Sequence, residues 1–276
     1  MKTLYITDLD GTLLDANAEV SDYTEKTLNA LMDRGMQFSI ASARTAATVV
    51  PLMQKVHLTL PMILMNGVCM YDPQSAHFLD LHRIPPASLR RLLGILREFG
   101  QSGFLYSCTE TKLETYYEQL DSPQAKAFYE ERVKRYNKPF VKVESFADLR
   151  PDDMVYFSVC DRHSQLLPVF EALQGDPDVR VEYYHDVYRE DYRFLEVFAS
   201  SASKKNAVQA LRERGGFDRV VAFGDNYNDL PMFEAADVSI AVGNARESVR
   251  QAAAVVIGEN TRDSVAKWLQ ENASVD

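Results

Sequence analysis

Two aspartates near the start of the chain, Asp8 and Asp10, have the clearest chemical meaning. They follow a short apolar segment, Thr3 to Thr7, and precede Gly11. The segment is predicted to be a strand, and the glycine lets the backbone turn away and expose its amide and carbonyl groups. Two carboxylates this close together repel each other, and a hard cation such as Mg²⁺ relieves the repulsion. The spacing therefore predicts metal-assisted chemistry at the end of a strand.

Two other interpretations of this segment stay open. An Asp-x-Asp-Gly sequence can form an ordinary turn, because aspartate and glycine are common turn residues. It can also begin a calcium-binding loop, in which Glu19 is the twelfth residue counted from Asp8. Leu13 then occupies the sixth position, where such a loop needs glycine, and the preceding segment reads as strand rather than helix.

A second acidic cluster, Asp225 and Asp229, follows another short apolar segment, Arg219 to Phe223. Other polar residues also follow predicted strands or begin a predicted helix: Ser42, Asn66, Gly67 and Lys204. The carboxyl ends of parallel strands form the edge of a sheet at which ligands bind. The order of these residues along the chain predicts that they converge on one site.

Composition indicates a globular protein with a substantial core. The chain has 276 residues, which is more than a single average domain. Of these residues 46% are hydrophobic, which is enough to form a buried core. No apolar run approaches the roughly 20 residues that cross a bilayer, and the N-terminal segment reaches an aspartate too early for a signal peptide. We expect no membrane association and a cytoplasmic location.

Charge and cysteine content exclude several classes of partner and site. The net charge is −10, with 30 basic and 40 acidic residues, and nucleic-acid binding needs a basic surface. The three cysteines, Cys69, Cys108 and Cys160, are far apart and predict neither a disulfide framework nor a zinc site. A small anionic ligand is still compatible, because a metal and a few local basic residues set the field at a site.

Strands and helices alternate in the first 80 or so residues and again near the end of the chain. This alternation predicts an α/β fold with a doubly wound parallel sheet of five strands, three from the first part and two from the last. The middle of the chain is rich in tyrosine and reads as an inserted α+β domain. The predicted boundaries are residues 1–83 and 192–276 for a discontinuous core and residues 84–191 for the insertion.

Six motifs occur in a fixed order along the chain: Asp8-Leu9-Asp10-Gly11-Thr12-Leu13-Leu14, Ala41-Ser42-Ala43-Arg44, Asn66-Gly67, Ser203-Lys204, Gly224-Asp225-x-x-Asn228-Asp229 and Val242-Gly243-Asn244-Ala245. Together they resemble the Cof-like, class IIB phosphatases of the haloacid dehalogenase superfamily. The resemblance covers the whole chain. It implies a Rossmann-like core with an inserted α+β cap that selects the substrate.

The resemblance also implies a reaction and its cofactor. The expected activity is Mg²⁺-dependent hydrolysis of small phosphate monoesters, with sugar phosphates first and flavin, nucleotide or cofactor phosphates behind them. Asp8 is implied as the nucleophile that forms an aspartyl-phosphate, and Asp10 as the general acid and base. The implied metal ligands are the Asp8 and Asp225 carboxylates and the backbone carbonyl of Asp10, with Asp229 acting through water or in support.

Further residues are implied around the phosphate, with Lys204 supplying a positive charge: Leu9, Ser42, Ala43, Arg44, Asn66, Gly67 and Asn228. Arg44 can instead pair with a carboxylate and hold its loop. Ala43 stands where glycine is common, and it is strained if that position needs φ > 0. Lys205 stands where glycine is usual and is a second lysine candidate, although the spacing to the following residues favours Lys204.

In the inserted domain, Tyr183, His185 and Arg189 are candidate contacts for the part of the substrate beyond the phosphate. Packing within the cap is the alternative for the tyrosines of this segment. Two other functions stay open: a phosphotransferase or phosphomutase on the same scaffold, and a non-catalytic phospho-ligand sensor. A sensor is expected to lack an aspartate or the lysine, and this chain retains them. The expected partner is a small phosphorylated metabolite, and the sequence leaves the oligomeric state, monomer or weak dimer, undetermined.

Overall fold

Apolar strands alternate with short amphipathic helices over most of the chain. The computed structural model describes residues 1–185 and 191–274, with the side chain of His185 outside the description. The strands are β1 (Thr3–Thr7), β2 (Gln37–Ile40), β3 (Met62–Leu64), β4 (Cys69–Asp72), β5 (His77–Leu79), β6 (Phe104–Cys108), β7 (Leu113–Tyr117), β8 (Val141–Lys142), β9 (Met154–Arg162), β10 (Val179–His185), β11 (Tyr192–Ala199), β12 (Arg219–Gly224), β13 (Val238–Ala241) and β14 (Val255–Val256).

The helices have ends that the sequence explains. They are α1 (Asp22–Met32), α2 (Ala46–Leu52), α3 (Pro86–Glu98), α4 (Pro123–Tyr136), α5 (His163–Leu173), α6 (Lys204–Gly215), α7 (Leu230–Ala235), α8 (Glu247–Ala252) and α9 (Ser264–Asn272). The Ser203 side chain caps α6 by accepting a hydrogen bond from the backbone of Asn206, and Gly216 ends it with a φ of 62°. Across the described residues, no helix is both long and apolar enough to cross a membrane.

The chain divides into two units, which we call the core (Met1–Leu79 with Ser203–Asp276) and the cap (Asp80–Ala202). The core contains a five-stranded sheet in the order β14-β13-β12-β1-β2. All four neighbouring pairs are parallel. The predicted α/β class with a parallel sheet and an inserted α+β domain is therefore confirmed. Because β1 and β12 are neighbours, the residues that follow them share one edge of the sheet.

The allocation of strands to this sheet differs from the prediction. Two of its strands come from the first part of the chain and three from the last, so the predicted division of three and two is wrong. The segment Pro61 to Met65 forms β3, which pairs with the antiparallel β4 and β5 and meets the main sheet at a bridge between Ala41 and Ile63. Positive φ angles at Met65 and Asn66 turn the chain back after β3, so its hydrogen bonds go to β4.

The cap is built on a six-stranded sheet in the order β10-β11-β9-β6-β7-β8. Side chains alternate between the two faces of its strands. One face packs against α3 and α5 and forms the apolar core of the cap, with Leu105, Phe157 and Leu195 from the sheet and Leu92 and Leu166 from the helices. The opposite face carries polar and aromatic residues, among them Tyr156 and Glu196.

The predicted second boundary of the cap is wrong. A boundary between residues 191 and 192 assigns β11 to the core, but β11 lies in the middle of the cap sheet. It pairs with β10 from Ala199 to Arg193 and with β9 on its other side. The backbone groups of β11 are satisfied only in this sheet, so the cap continues to Ala202. The first boundary lies between Leu79 and Asp80, four residues before the predicted position.

Candidate active site

Lys204 lies at the centre of a buried ionic cluster in the core. Its ammonium Nζ is 2.6 Å from Oδ1 of Asp8 and 2.7 Å from Oδ1 of Asp229. The side chain of Lys204 is only 1% exposed. Lys205, the alternative candidate, points to the surface and pairs with Glu234 at 2.9 Å. The structure therefore brings Lys204, and not Lys205, to the two aspartates.

Asp225 completes the cluster. One carboxylate oxygen from each of Asp8, Asp225 and Asp229 lies within 4.8 Å of the others. The backbone N–H of Asp8 donates to the carbonyl of Phe223 at 2.9 Å, which holds the ends of β1 and β12 side by side. Three carboxylates then face one ammonium, and the cluster carries excess negative charge when all are ionised.

Burial and the excess negative charge change the pKa values of two of these carboxyls. Burial, opposed by Lys204 and reinforced by the charges of Asp229 and Asp225, raises the pKa of Asp8 well above its usual range. Burial and then the charge of Asp229 raise the pKa of Asp225 to about 7. Carboxyls that resist ionisation in this way are stabilised as anions by a bound cation, so the donor set suits a hard metal ion.

Asp229 is held by the loop that follows β12. Its Oδ2 accepts hydrogen bonds from the backbone N–H groups of Asp225 at 3.0 Å and Asn226 at 3.1 Å, while Oδ1 accepts from Lys204. A Cβ atom on Gly224 would lie 2.6 Å from the Cβ of Asp229, so the glycine allows this close approach. Both carboxylate oxygens of Asp229 are thus already engaged, which leaves Asp8 and Asp225 as the freer metal ligands.

The turn after Asp10 depends on Gly11, which has a φ of 78°. A Cβ atom on Gly11 would lie 2.6 Å from Oδ2 of Asp225. Two further residues join this turn to the cluster: the Thr12 hydroxyl donates to Oδ1 of Asp225 at 3.1 Å, and the Asn244 amide donates to the Gly11 carbonyl at 2.8 Å. Thr12 and Asn244 lie within the sequence motifs, but no role was predicted for either. Their position in those motifs was the sign in the sequence that they belong to the site.

Asp10 forms a bidentate ion pair with Arg44. The guanidinium Nε donates to Oδ2 at 2.7 Å and Nη2 donates to Oδ1 at 2.6 Å. About half of the Asp10 side chain is exposed, and it lies outside the group of three clustered carboxylates. Of the two interpretations of Arg44, pairing with a carboxylate is the one observed. Arg44 fixes the orientation of the Asp10 carboxylate.

The predicted phosphate-binding residues lie on loops that contact one another. The Ser42 carbonyl accepts from the N–H of Asn66 at 3.1 Å, and the Ser42 hydroxyl accepts from the N–H of Arg44 at 3.2 Å. The Asn228 amide donates to Oδ1 of Asn66 at 3.2 Å, which links the loops after β3 and β12. Ser42, Asn66 and Asn228 therefore form a connected polar chain.

Three other predicted contacts involve mainly backbone groups. Gly67 has a φ of 93°, and a Cβ atom there would lie 2.3 Å from the Ser203 carbonyl, so the loop packs tightly against the start of α6. Ala43 is not among the residues with positive φ, and the strain considered for it does not arise. The Leu9 side chain is fully buried, which leaves its backbone for any contact with phosphate.

Of the three cap residues that were predicted to contact the substrate, the structure describes the side chain of Tyr183 alone. The Tyr183 ring stacks on Phe170 of α5 at 4.7 Å, and its hydroxyl is 2.7 Å from Nδ1 of His163. Tyr183 therefore packs on the helix-covered face of the cap sheet. Arg189 and the side chain of His185 lie outside the described residues.

Known proteins resemble this chain over nearly its whole length. The sequence profile of the haloacid dehalogenase-like hydrolase family matches residues 5–269. A pyridoxal phosphate phosphatase of Escherichia coli is 27% identical over 270 residues, which cover 95% of each chain. A 5-amino-6-(5-phospho-D-ribitylamino)uracil phosphatase of Bacillus subtilis is 26% identical over 272 residues, which cover 97% of this chain and 96% of the relative.

Solved structures share the fold. A haloacid dehalogenase-like hydrolase from Bacteroides thetaiotaomicron superposes with a TM-score of 0.81 at 24% identity, covering 98% of this chain and 99% of that one. A protein from Thermotoga maritima superposes with the same TM-score of 0.81 at 25% identity, covering 100% of this chain and 99% of that one. Both match the chain across core and cap.

Proposed function

Because the chain belongs to the haloacid dehalogenase-like hydrolase family, we propose that it hydrolyses small phosphate monoesters through an aspartyl-phosphate on Asp8, in a reaction that requires Mg²⁺. The observation that supports this proposal is the buried pairing of Lys204 with Asp8 and Asp229, with Asp225 beside them. A nucleophilic carboxylate, a fixed cation and further oxygen ligands are what phosphoryl transfer needs.

The family and the enzyme class predicted from the sequence, a haloacid dehalogenase-type phosphatase, are confirmed by the profile match and by the relatives that are phosphatases. The metal, the intermediate, the residue roles and the substrate are the proposed part.

The acidic cluster fits Mg²⁺, because its donors are all oxygens and its charge is in excess. We assign the ion to the carboxylates of Asp8 and Asp225 and the backbone carbonyl of Asp10. Asp229 supports the site by orienting Lys204 and the loop after β12, since both of its oxygens are engaged. When bound, Mg²⁺ offsets the charge of the carboxylates and polarises the oxygens of the phosphate.

The residues of the core account for both halves of the reaction. The Asp8 carboxylate attacks phosphorus, the Asp8–phosphorus bond forms, and the bond from phosphorus to the leaving oxygen breaks. Asp10 gives its proton to that oxygen and the alcohol departs. Asp10 then takes a proton from water, which attacks phosphorus and releases inorganic phosphate and free Asp8. Arg44 orients the ionised form of Asp10, which takes the proton from water, and Lys204 stabilises the charge that develops.

The phosphate oxygens need donors as well as a metal. We assign the Ser42 hydroxyl, the backbone N–H groups of Leu9 and Ala43, and the polar chain of Asn66 and Asn228 to this role, with Gly67 allowing the loop to pack closely. Fixed donors of this kind act without reorganisation at the moment of reaction.

The leaving group is the finer part of the proposal. The sequence favours sugar phosphates, whereas the two relatives described above are named for phosphates that carry a heteroaromatic ring. We therefore propose a small phosphorylated metabolite of one of these two kinds, selected by the cap.

Removal of the metal is the direct test of this function. The protein is expected to release phosphate from members of a panel of sugar and heteroaromatic phosphates in Mg²⁺, to lose that activity in excess chelator, and to recover it when Mg²⁺ is restored. Free phosphate is measured by a colorimetric assay. Release that chelator leaves unaffected contradicts the proposal. Turnover that depends on an added sugar acceptor indicates a transferase, and binding without release indicates a sensor.

Stability of the metal-free protein is expected to fall as pH rises from about 4 to about 7. Over this range the folded state keeps the proton on Asp225, whose pKa is about 7, while the unfolded chain has lost it from a group with an ordinary pKa of 3.8. The bound proton stabilises the fold at low pH, and this contribution is lost as pH rises through the folded pKa. Mg²⁺ binds the deprotonated site, so it is expected to stabilise the protein much more at pH ~8 than at pH ~5.

Thermal unfolding with Mg²⁺ and with chelator, across this pH range, checks the expectation. Asp225→Asn is the control, because it removes one of the two carboxyls with a raised pKa and is expected to reduce both the fall with pH and the Mg²⁺ effect. A parent protein whose melting temperature gains as much from Mg²⁺ at low pH as at high pH contradicts the assignment.

A further inference from the structure

Lys138 of the cap has a buried side chain among aromatic rings. It follows the end of α4, where its backbone N–H donates to the carbonyl of Arg132 at 3.3 Å, and only 4% of the residue is exposed. Its Nζ lies 4.7 Å from the ring centre of Tyr106 in β6, 5.0 Å from that of Phe140 and 6.0 Å from that of Phe128 in α4. These three rings, which we call the aromatic cage, belong to the cap alone.

No described carboxylate is paired with the Lys138 side chain. Within the described part of the chain, Nζ has neither an ion-pair partner nor a hydrogen-bond acceptor, and the charged group that acts on it is the guanidinium of Arg132. Arg132 is itself paired with Glu131, and its Cζ lies 4.0 Å from the ring centre of Phe128. The titratable neighbour from the sheet is Tyr106, and burial raises the pKa of this phenol to about 12, so it is neutral at neutral pH. An ammonium at this position thus loses water without gaining an anion.

Burial and then the charge of Arg132 lower the pKa of Lys138 to about 7. The ring faces attract a cation, but less strongly than a carboxylate does, so they offset only part of the cost of burial. At neutral pH about half of the Lys138 side chains then carry a neutral amine. An exposed lysine with the ordinary pKa of about 10.4 is neutral in roughly one molecule in 10³. Because only the neutral amine has a free lone pair, Lys138 is a nucleophile at neutral pH.

A small molecule can reach this amine. Tyr106 closes the base of the aromatic cage and is 3% exposed, whereas Phe128 and Phe140 are half-buried and border solvent. Nζ of Lys138 is not among the described buried side-chain atoms that lack both solvent contact and a hydrogen-bond partner. Since Nζ has no described partner, it keeps a small exposed surface at the tip of the side chain.

We propose that Lys138, within the aromatic cage, captures small aldehydes through a reversible covalent bond. The Nζ lone pair attacks the carbonyl carbon, a C–N bond forms, and one amine proton moves to the carbonyl oxygen to give a carbinolamine. That hydroxyl then leaves with the second amine proton as water, and a C=N bond forms between Nζ and the aldehyde carbon. Neither an oxidant nor a reductant takes part, and water reverses both steps. This chemistry is independent of the proposed hydrolysis of phosphate esters.

The aromatic cage favours aldehydes over carbon dioxide, which also adds to neutral amines. An imine is neutral, or a cation when it is protonated, and ring faces attract cations. Carbon dioxide would form a carbamate anion, which the ring faces repel and burial disfavours. Arg132 already pairs with Glu131, so it is not free to balance such an anion. Because only the tip of Nζ is exposed, the aldehyde is expected to be small.

Reductive trapping at neutral pH tests this proposal. Cyanoborohydride converts the imine of acetaldehyde into stable N-ethyl-lysine, and tandem mass spectrometry of the tryptic peptide after Arg135 reports on both Lys138 and Lys142. Lys142, an exposed residue of β8, is the internal control. Lys138 is expected to be ethylated at least about tenfold faster than Lys142 at pH ~7, and its rate is expected to level off above pH ~8, where the amine is nearly all neutral. Equal or slower labelling of Lys138 overturns the proposal.

Phe140→Ala separates reactivity from access, because it removes one wall of the aromatic cage and leaves Lys138 in place. Exposure of the amine is expected to favour the ammonium and to lower labelling of Lys138 at pH ~7 by about fivefold or more, although the opening becomes wider. Faster labelling in this variant shows that access alone limits the rate and overturns the proposal. Phe99→Ala is the matched control, since Phe99 is 38% exposed at the end of α3 and lies outside the cage. It is expected to label like the parent.

The order of addition identifies the bond. When acetaldehyde is removed before cyanoborohydride is added, Lys138 is expected to stay unmodified, because water hydrolyses the imine. A modification of Lys138 that survives this step shows a different adduct and overturns the reversible bond. The comparison of Lys138 with Lys142 uses the parent protein alone, so it decides the proposal even if Phe140→Ala does not fold. No phosphate ester is present in these measurements, so their result stands whether or not the protein hydrolyses one.

Discussion

Asp8→Asn is expected to lower kcat for phosphate release by on the order of 10⁴- to 10⁶-fold, because asparagine offers no ionised oxygen to attack phosphorus. The substitution is nearly isosteric, and Lys204 keeps its second partner, Asp229, at 2.7 Å. The binding elements of the core are therefore expected to persist while chemistry stops. Acid quenching during turnover, followed by peptide mass spectrometry, is expected to detect a phosphoryl group on the Asp8 peptide of the parent and none in the variant.

The same substitution is expected to maintain or raise the melting temperature of the metal-free protein. The pKa of Asp8 is raised by burial, against the opposing effect of Lys204, and by the neighbouring carboxylates, so ionisation of this carboxyl destabilises the fold. Asparagine removes that charge. A variant that loses both activity and several degrees of stability without metal contradicts this account and assigns Asp8 a mainly structural role.

Asp33→Asn is the matched control for Asp8→Asn. Asp33 is 70% exposed, and the partner found for its carboxylate is His57 at 3.9 Å. The same change of a carboxylate to an amide is expected to leave kcat within a factor of about two there, because exposed pairs contribute little. A large loss of activity in Asp33→Asn would indicate that the assay responds to net charge and not to the nucleophile.

Lys204→Ala is expected to destabilise the protein by about 3 to 5 kcal/mol and to lower kcat by on the order of 10²- to 10³-fold. The ammonium is buried between two aspartates, and its removal leaves both carboxylates without the cation that stabilises them. Urea denaturation in chelator measures the free energy of unfolding, and phosphate release in saturating Mg²⁺ measures the activity of the folded fraction.

Two further variants distinguish charge from packing at this position. Lys204→Met keeps most of the apolar stem, so it is expected to be nearly as destabilised as Lys204→Ala if the lost charge is the cause. Lys205→Ala makes the same change one residue later, where the ion pair with Glu234 is exposed, and is expected to cost no more than about 1 kcal/mol. Similar losses in Lys204→Ala and Lys205→Ala would show that disruption of α6, and not the buried ammonium, explains the effect.

The place of the site residues follows from local rules. Asp8 and Asp225 come directly after apolar segments, and the carboxyl ends of parallel strands share an edge, so their convergence could be predicted from sequence. Gly11 could be expected to have positive φ, because the turn after two aspartates needs it. These predictions depend on a few consecutive residues and on the rules of strand pairing.

The partners of several charged residues could not be predicted in the same way. Arg44 is adjacent in sequence to a predicted phosphate contact, yet its guanidinium pairs with Asp10, 34 residues away. The spacing in the sequence favoured Lys204 over Lys205, but the two aspartates that Lys204 pairs with are known only from the fold. Such pairings depend on contacts between distant segments, which cannot be inferred from neighbouring residues in the sequence.

The position of β11 in the cap sheet is another feature that could not be predicted from the sequence. Residues 192–199 fall in the predicted core with no strand assigned to them, and the segment itself does not say which sheet supplies its neighbours. Only the pairing with β9 and β10 determines this, and it also buries Glu196 on the face opposite the apolar core. A single acidic residue within an apolar strand was the available signal.

The sequence by itself determined the parallel core sheet and the acidic residues at its edge, because these follow from the periodicity of strands and helices and from strand-end motifs. The reaction class came from the resemblance of six ordered motifs to a known family. The tertiary structure decided which lysine is buried, what Arg44 holds, where the cap ends and which polar groups of the cap face one another. Those outcomes depend on packing between distant segments, because a charge is buried at low cost only where the fold brings a partner next to it.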